Sequence, residues 1–190
     1  MREICGASRM KIVICPGIHR SQLSQSFVAA LHPRQEVLIF PAEKTPAYSP
    51  LHLLEFLSTT EATTPLIFIA FSAGVVAAIG AARLWQKQGG SVSAMIALDG
   101  WGVPLAGDFA IHRVSHDRFT AWSSALLGGG DSDSFYADPA VDHLTLWRSP
   151  QTVQGYEITA NRRSPQTYTT ATSFITALLQ RYNPSTSARY

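Results

Sequence analysis

Short apolar runs alternate along this chain with segments of helical spacing. Runs rich in β-branched and aromatic residues, bounded by proline, glycine or polar residues, predict strands at 11–15, 36–40, 66–71, 92–98 and 109–114. Helical patterns lie between them at 21–31, 50–57 and about 72–88. Short apolar strands separated by helical lengths predict an α/β fold, with a mostly parallel central sheet covered by helices on both faces.

The segment 66–82 contains a single polar residue, Ser72. Its length is close to the roughly 20 apolar residues that cross a bilayer, so a membrane span is one interpretation. However, the first half is rich in strand-forming residues, the second half is rich in alanine, and no other segment could partner it in a membrane. A strand, turn and helix of a soluble protein is the better interpretation, and we expect no membrane span.

Length and composition predict one domain over residues 1–190, because 46% of the residues are hydrophobic and only 15% are charged. The sequence shows no internal repeat and no linker. We expect the ends, about 1–9 and 183–190, to be flexible. The sequence does not indicate an oligomeric state.

The formal net charge is only +2, and the basic residues are scattered, so we expect no nucleic-acid partner. The two cysteines, Cys5 and Cys15, are too few for a disulfide scaffold, and Cys15 lies in an apolar run typical of a buried thiol. The first fifteen residues lack the hydrophobic core of a signal peptide. Together these features indicate a cytoplasmic protein.

Ser72 stands where the predicted strand 66–71 becomes a helix. A sharp turn at that point would lift its hydroxyl above the sheet and would require small residues two positions before and after it, as Ala70 and Gly74 are. The pattern A-F-S-A-G differs from G-x-S-x-G by one methyl group. We predict that Ser72 is a nucleophile, and the competing interpretation is a serine that only caps the helix.

A serine nucleophile needs a histidine base oriented by a carboxylate. His112 falls within a predicted strand and His116 adjoins a candidate acid, whereas His143 stands in a loop after the strand-like segment FYA and before a helix predicted to start at Pro150. His143 is therefore the predicted base, although a lone histidine can also be an ordinary surface or core residue.

The chain resembles small α/β-hydrolases without a lid. KIVICPGIHRS resembles their first strand and oxyanion loop, LIFIAFSAG the nucleophile elbow, RVSHDRF the segment with the acid, and VDHLTLWRSPQTV the histidine loop. The resemblance implies a serine esterase or thioesterase that acts on a small-molecule or acyl-group substrate, without a metal or an organic cofactor. It also implies an oxyanion hole formed by the N–H groups of Ala73 and Ile18.

The acid has two candidates. Asp117 follows the penultimate predicted strand, as in compact members of the family, and is preferred. Asp99 follows the strand after the nucleophile helix, and its segment LDGWG resembles the corresponding site of acyl-thioesterases. Whichever of the two aspartates is not the acid would be a turn or helix-capping residue.

Two functions stay open. One is a serine hydrolase, and the other is a binding protein that kept the fold without activity, because fold alone does not decide function. Aromatic side chains near the predicted site suggest an apolar acyl pocket, although ordinary packing is an alternative; they are Trp101, Phe119, Trp122 and Trp147.

Overall fold

A computed structural model of the chain describes residues 10–128, 132–160 and 166–183. The ends that were expected to be flexible lie outside the described residues, apart from Asn183, and so does Cys5. Cys15 is buried as a free thiol, and this burial raises its pKa. No helix in the described ranges has the length and apolar character that a membrane crossing requires.

Eight strands and six helices form the described structure. The strands are β1 (Lys11–Cys15), β2 (Glu36–Ile39), β3 (Leu66–Phe71), β4 (Val92–Leu98), β5 (Ala110–Ser115), β6 (Ser134–Ala137), β7 (Gln154–Ile158) and β8 (Thr167–Thr170). The helices are α1 (Ser21–Leu31), α2 (Pro50–Phe56), α3 (Ala73–Lys87), α4 (Arg118–Ala125), α5 (His143–Arg148) and α6 (Ala171–Arg181).

All eight strands join one sheet in the order β2-β1-β3-β4-β5-β6-β7-β8. The pairs from β2 to β6 are parallel, and β7 and β8 extend the sheet by antiparallel pairing. The predicted α/β class with a mostly parallel sheet is confirmed. Strands β3 and β4 lie next to each other near the centre, so the residues that follow them meet at one edge.

Side chains alternate between the two faces of the sheet, and each face is covered by helices. In β1, Ile12 and Ile14 pack in one core with residues from α1, α5 and α6, whereas Val13 and Cys15 pack in the other with residues from α2 and α3. In the first core, the fully buried ring of Trp147 stacks on Phe27. The core therefore lies on both faces, as the sequence predicts.

The prediction of a helix that starts at Pro150 is wrong. Helix α5 instead begins at His143 and ends at Arg148, before that proline. Ser149 leaves the helical region, with φ −141° and ψ 53°, and the helical region is the one that a following proline disfavours. The N–H groups of Thr152 and Val153 then close a turn on Ser149 and Pro150, and strand β7 follows.

Helix α3 starts in close contact with the end of β1. A Cβ atom on Gly74 would overlap the carbonyl oxygen of Cys15 and would lie 2.5 Å from that of Pro16. Backbone atoms cannot move aside as a flexible side chain can, so residue 74 must be glycine for this packing. The approach places the loop after β1 beside the first turn of α3.

We predict that Gly74→Ala lowers the free energy of unfolding by about 1–3 kcal/mol or more, because the added methyl group overpacks a backbone contact. Urea denaturation followed by circular dichroism measures the change. Arg83→Ala, at an exposed position of the same helix, is the control and should stay within about 0.5 kcal/mol of the original chain. Equal stability of the Gly74→Ala variant and the original chain would contradict this packing.

Candidate functional site

Ser72 occupies a strained turn between β3 and α3. Its φ and ψ are 52° and −121°, and a positive φ is uncommon for a residue with a side chain. Its N–H donates to the carbonyl of Leu98 over 3.0 Å, and its side chain makes no capping hydrogen bond to α3. The helix-cap interpretation of Ser72 is therefore not supported, and the conformation is the one expected for a serine presented at a turn.

The loop after β1 lies beside this serine. A Cβ atom on Gly17 would be 3.1 Å from the Cβ of Ser72. In the described part of the chain, the N–H groups of Ile18 and Ala73 donate no hydrogen bond to another residue. Both groups are therefore available for a ligand, and their convergence on one oxyanion stays a prediction. The side chain of Ile18 is 78% exposed, so it does not hold the loop in place.

Asp99 follows β4 directly and has a side chain that is only 2% exposed. Its Oδ2 atom lies 2.8 Å from Nδ1 of His143 and 3.0 Å from Nδ1 of His116. Its Oδ1 accepts the backbone N–H of His116 over 2.9 Å. Burial of a carboxylate is costly unless hydrogen bonds compensate for the lost water, and these three contacts supply that compensation.

His143 opens helix α5, and its ring stacks on Phe71 with 4.5 Å between the ring centroids. Phe71 immediately precedes Ser72, so the imidazole lies beside the strained turn. Ser72, Asp99 and His143 line one open cavity of about 450 Å³. No direct hydrogen bond joins Ser72 to His143 among the described residues, and Nδ1 of the ring is engaged by Asp99.

The preference for Asp117 as the partner of His143 is corrected by this geometry. Asp117 caps α4: its Oδ1 accepts the N–H of Thr120 over 2.6 Å. Its Oδ2 lies 2.8 Å from Nε2 of His116. The cap holds this carboxylate at the start of α4, whereas Asp99 stands at the end of a buried strand beside the serine. Asp99, the alternate candidate, is the carboxylate in contact with His143.

His116, which the sequence analysis sets aside as a base because it adjoins a candidate acid, is brought into the site by the fold. Its ring lies between Asp99 and Asp117, with one nitrogen at each carboxylate. Because ionised carboxylates only accept hydrogen bonds, both contacts are hydrogen bonds when both ring nitrogens carry a proton, which is the imidazolium form. A signal was present: β4 and β5 are neighbouring parallel strands, so the residues after them had to meet.

Apolar side chains form much of the cavity wall. Trp101 and Phe119 are exposed and line the cavity together with Val76 and Val103. Trp147 is instead a core residue, and it does not line this cavity. The expectation of aromatic residues at the site therefore holds for Trp101 and Phe119 and is wrong for Trp147.

Trp122 is also exposed, but it lines a different cavity beside β5 and β6. It lies on the same short helix as Phe119. The ring of Trp122 contacts that of Phe119, with 6.1 Å between the centroids. We therefore place it outside the wall of the candidate site.

His112 is a structural residue of strand β5. Its Nδ1 lies 2.9 Å from the carbonyl oxygen of Asp133, and its Nε2 lies 2.8 Å from the hydroxyl of Tyr182. Burial lowers the pKa of this imidazole, and the nearby carbonyl and carboxylate of Asp133 oppose the shift only in part. Its position in a buried strand agrees with its exclusion as the base.

No protein-family model matches the sequence, and a search of curated proteins gives no significant match. The geometry of the site therefore carries the functional conclusion.

The lowered pKa of His112 predicts a pH-dependent contribution to stability. Between its folded pKa and the usual value of about 6.5, the unfolded chain binds a proton that the folded chain does not, so this group lowers stability as the pH falls. The contribution is at most about 1.4 kcal/mol per pH unit. Urea denaturation at pH 7.5 and 5.5 should show that the free energies of unfolding of His112→Gln and of the original chain differ less at the lower pH. An equal gap at both values would contradict the assignment.

Proposed function

We propose that this protein is a serine hydrolase that cleaves a carboxylic ester or thioester through an acyl-enzyme on Ser72. The observation that carries the proposal is the pairing of His143 with the buried carboxylate of Asp99 beside a serine in a strained turn. A nucleophile, a base and a carboxylate that orients the base are the three groups that acyl transfer to a serine requires.

The contact with Asp99 selects the tautomer of His143. When Nδ1 carries the proton and its N–H donates a hydrogen bond to Asp99, the lone pair of the neutral ring is on Nε2. That nitrogen accepts the proton of Ser72 as the hydroxyl oxygen attacks the substrate carbonyl. The negative charge of Asp99 then stabilises the imidazolium that forms.

The tetrahedral intermediate carries an oxyanion that needs preorganised donors. The N–H groups of Ala73 and Ile18 are the proposed donors, and both are free of internal partners in the described structure. Ala73 begins a helix of 15 residues, so the positive end of its dipole also faces the charge. The leaving alcohol or thiol takes the proton from His143, and a water molecule activated by the same ring then releases the acid.

Two features support membership of the α/β-hydrolase family and an apolar acyl group. The chain order is serine, acid, histidine: Ser72 follows β3, Asp99 follows β4 directly after the nucleophile helix, as the resemblance to acyl-thioesterases implies, and His143 follows β6. Trp101 and Phe119 present apolar surface next to Ser72. An acyl chain would bury this surface on binding. The cytoplasmic location and the single domain stay predictions.

The inactive binding protein is the second candidate. The observation that favours it is Ala70, which stands where the common pattern has glycine. Ala70 is fully buried within β3 and pairs with Cys15 of β1 and Ala97 of β4, so its methyl group is accommodated in the sheet. The departure therefore gives little support to a loss of activity.

We predict that the protein hydrolyses p-nitrophenyl acetate or butyrate, and that Ser72→Ala lowers kcat by at least about 10³-fold, because the nucleophile is lost. Release of p-nitrophenol measures the rate, and circular dichroism checks the fold. Ser26→Ala, which removes an exposed hydroxyl on α1, should keep the full rate. Hydrolysis by a folded Ser72→Ala variant at the original rate would remove Ser72 from the mechanism.

The two aspartates should differ in the same assay. Asp99→Asn should lower kcat by about 10³- to 10⁴-fold, because an amide stabilises the wrong tautomer of His143. His143→Ala should be as severe as Ser72→Ala, since members of one catalytic unit fail together.

Asp117→Asn should cost about tenfold or less, because asparagine still caps α4 and Asp99 keeps its contact with His143. It is thus the matched control for Asp99→Asn. If Asp117→Asn were the more damaging change, Asp99 would not be the acid.

A further inference from the structure

We propose that Asp99, His116 and His143 together bind a divalent transition-metal ion, with Zn²⁺ as the ion that fits best, and that this ion inhibits the hydrolase. Each residue offers one ligand atom, and the three atoms lie within 4.8 Å of one another. The catalytic pair uses only two of these residues. The third, His116, turns the pair into a set of two imidazoles and one carboxylate.

The distances suit a single ion. A tetrahedral zinc ion with bonds of about 2.1 Å holds its ligand atoms about 3.4 Å apart. Oδ2 of Asp99 lies 2.8 Å from Nδ1 of His143 and 3.0 Å from Nδ1 of His116. These two pairs must therefore open by about 0.4–0.6 Å, and the ligand atoms of the two histidines lie within 4.8 Å of each other. Both Nδ1 atoms contact the same carboxylate oxygen, Oδ2 of Asp99, and the two rings lie edge to face at 81°.

Neighbouring groups orient the ligands as they do in known metal sites. Nε2 of His116 lies 2.8 Å from Oδ2 of Asp117, so the nitrogen that faces away from the ion has a carboxylate partner. A histidine ligand usually has such a partner, which fixes the ring and increases its basicity. The second oxygen of Asp99 accepts the N–H of His116, which leaves Oδ2 for the ion.

An ion can reach the three residues and complete its coordination. All three line the open cavity, and the side chains of His116 and His143 are 26% and 42% exposed. A water molecule can therefore occupy the fourth position. Imidazole and carboxylate ligands favour Zn²⁺ over Ca²⁺ or Mg²⁺, which prefer sites made of oxygen atoms.

Inhibition follows from the tautomer of His143, and this part rests on the proposed function. An ion bound to Nδ1 uses the lone pair of that nitrogen, so the proton of the neutral ring moves to Nε2. Nε2 can then no longer accept the proton of Ser72. The ion also takes the carboxylate oxygen that would stabilise the imidazolium, and a chelator that removes the ion restores both groups.

Calorimetric titration of the metal-free full chain with ZnCl₂ tests the site without any use of activity. We expect saturable binding of one ion per chain. The His116→Ala variant should bind more than about 100-fold more weakly, and Asp117→Asn about 10-fold more weakly, as expected for loss of a ligand and of its supporting carboxylate. His52→Gln removes an exposed histidine on α2, and this control should bind as the original chain does.

Circular dichroism verifies that each variant is folded. If His116→Ala unfolds, His116→Gln, whose amide can still donate to Asp99, takes its place. Absence of saturable binding, or equal affinity in the folded His116 variant, would overturn the metal site.

Ester hydrolysis with added ZnCl₂ separates this proposal from the proposed function. We expect the rate of the original chain to fall as the site fills and to recover with EDTA. If the chain binds zinc through His116 but hydrolyses no ester, the metal site is supported and the proposed hydrolase activity is refuted. If the chain hydrolyses esters but binds no zinc, only the metal site is refuted. Binding through His116 with an unchanged rate refutes the inhibition.

Discussion

The close contact between Gly74 and the end of β1 is the constraint on which the site depends. The first turn of α3 packs against the carbonyl groups of Cys15 and Pro16 where no side chain fits at residue 74, and one residue separates the end of β3 from the start of this helix. The chain turns within one residue, and Ser72 takes a positive φ to make that turn. The same contact brings the loop after β1 to the serine, so one packing requirement places both the proposed nucleophile and the proposed oxyanion donors.

The buried carboxylate of Asp99 is the second feature on which the site depends, because it contacts both His143 and His116. Two carboxylates, Asp99 and Asp117, lie on either side of the His116 ring, and one of them is almost completely buried. Like charges in such proximity repel unless a cation or hydrogen bonds stabilise them. The ring of His116 separates the two carboxylates, with Nδ1 at 3.0 Å from Oδ2 of Asp99 and Nε2 at 2.8 Å from Oδ2 of Asp117.

The sequence predicts the features that follow from local chemistry and misses those that depend on the sheet as a whole. The boundary at Ser72 was predictable because strand-forming residues give way to alanine and glycine at that point. Strand β8 has the sequence TYTT and lies partly exposed at the sheet edge, so it has no apolar run to reveal it. Proline favours the first position of a helix, so the sequence predicts a helix start at Pro150, whereas the helix begins earlier, at His143.

The choice between the two aspartates required coordinates. Both Asp99 and Asp117 follow parallel strands near the serine, and chain order permits either to meet His143. The hydrogen bond that caps α4 turns the carboxylate of Asp117 towards Thr120. The hydrophobic pattern of the sequence does not predict where that helix lies relative to His143. The sequence could therefore predict the set of candidate groups but not their pairing.

The most direct test of the central claim is mass spectrometry of the intact chain after incubation with a fluorophosphonate, because this reagent labels a serine only when a base activates it. The account predicts one adduct per chain, located by peptide mapping on Ser72, and much slower labelling in the Asp99→Asn variant. An unlabelled chain, or an adduct on another residue, would contradict activation of Ser72 by the pair of His143 and Asp99.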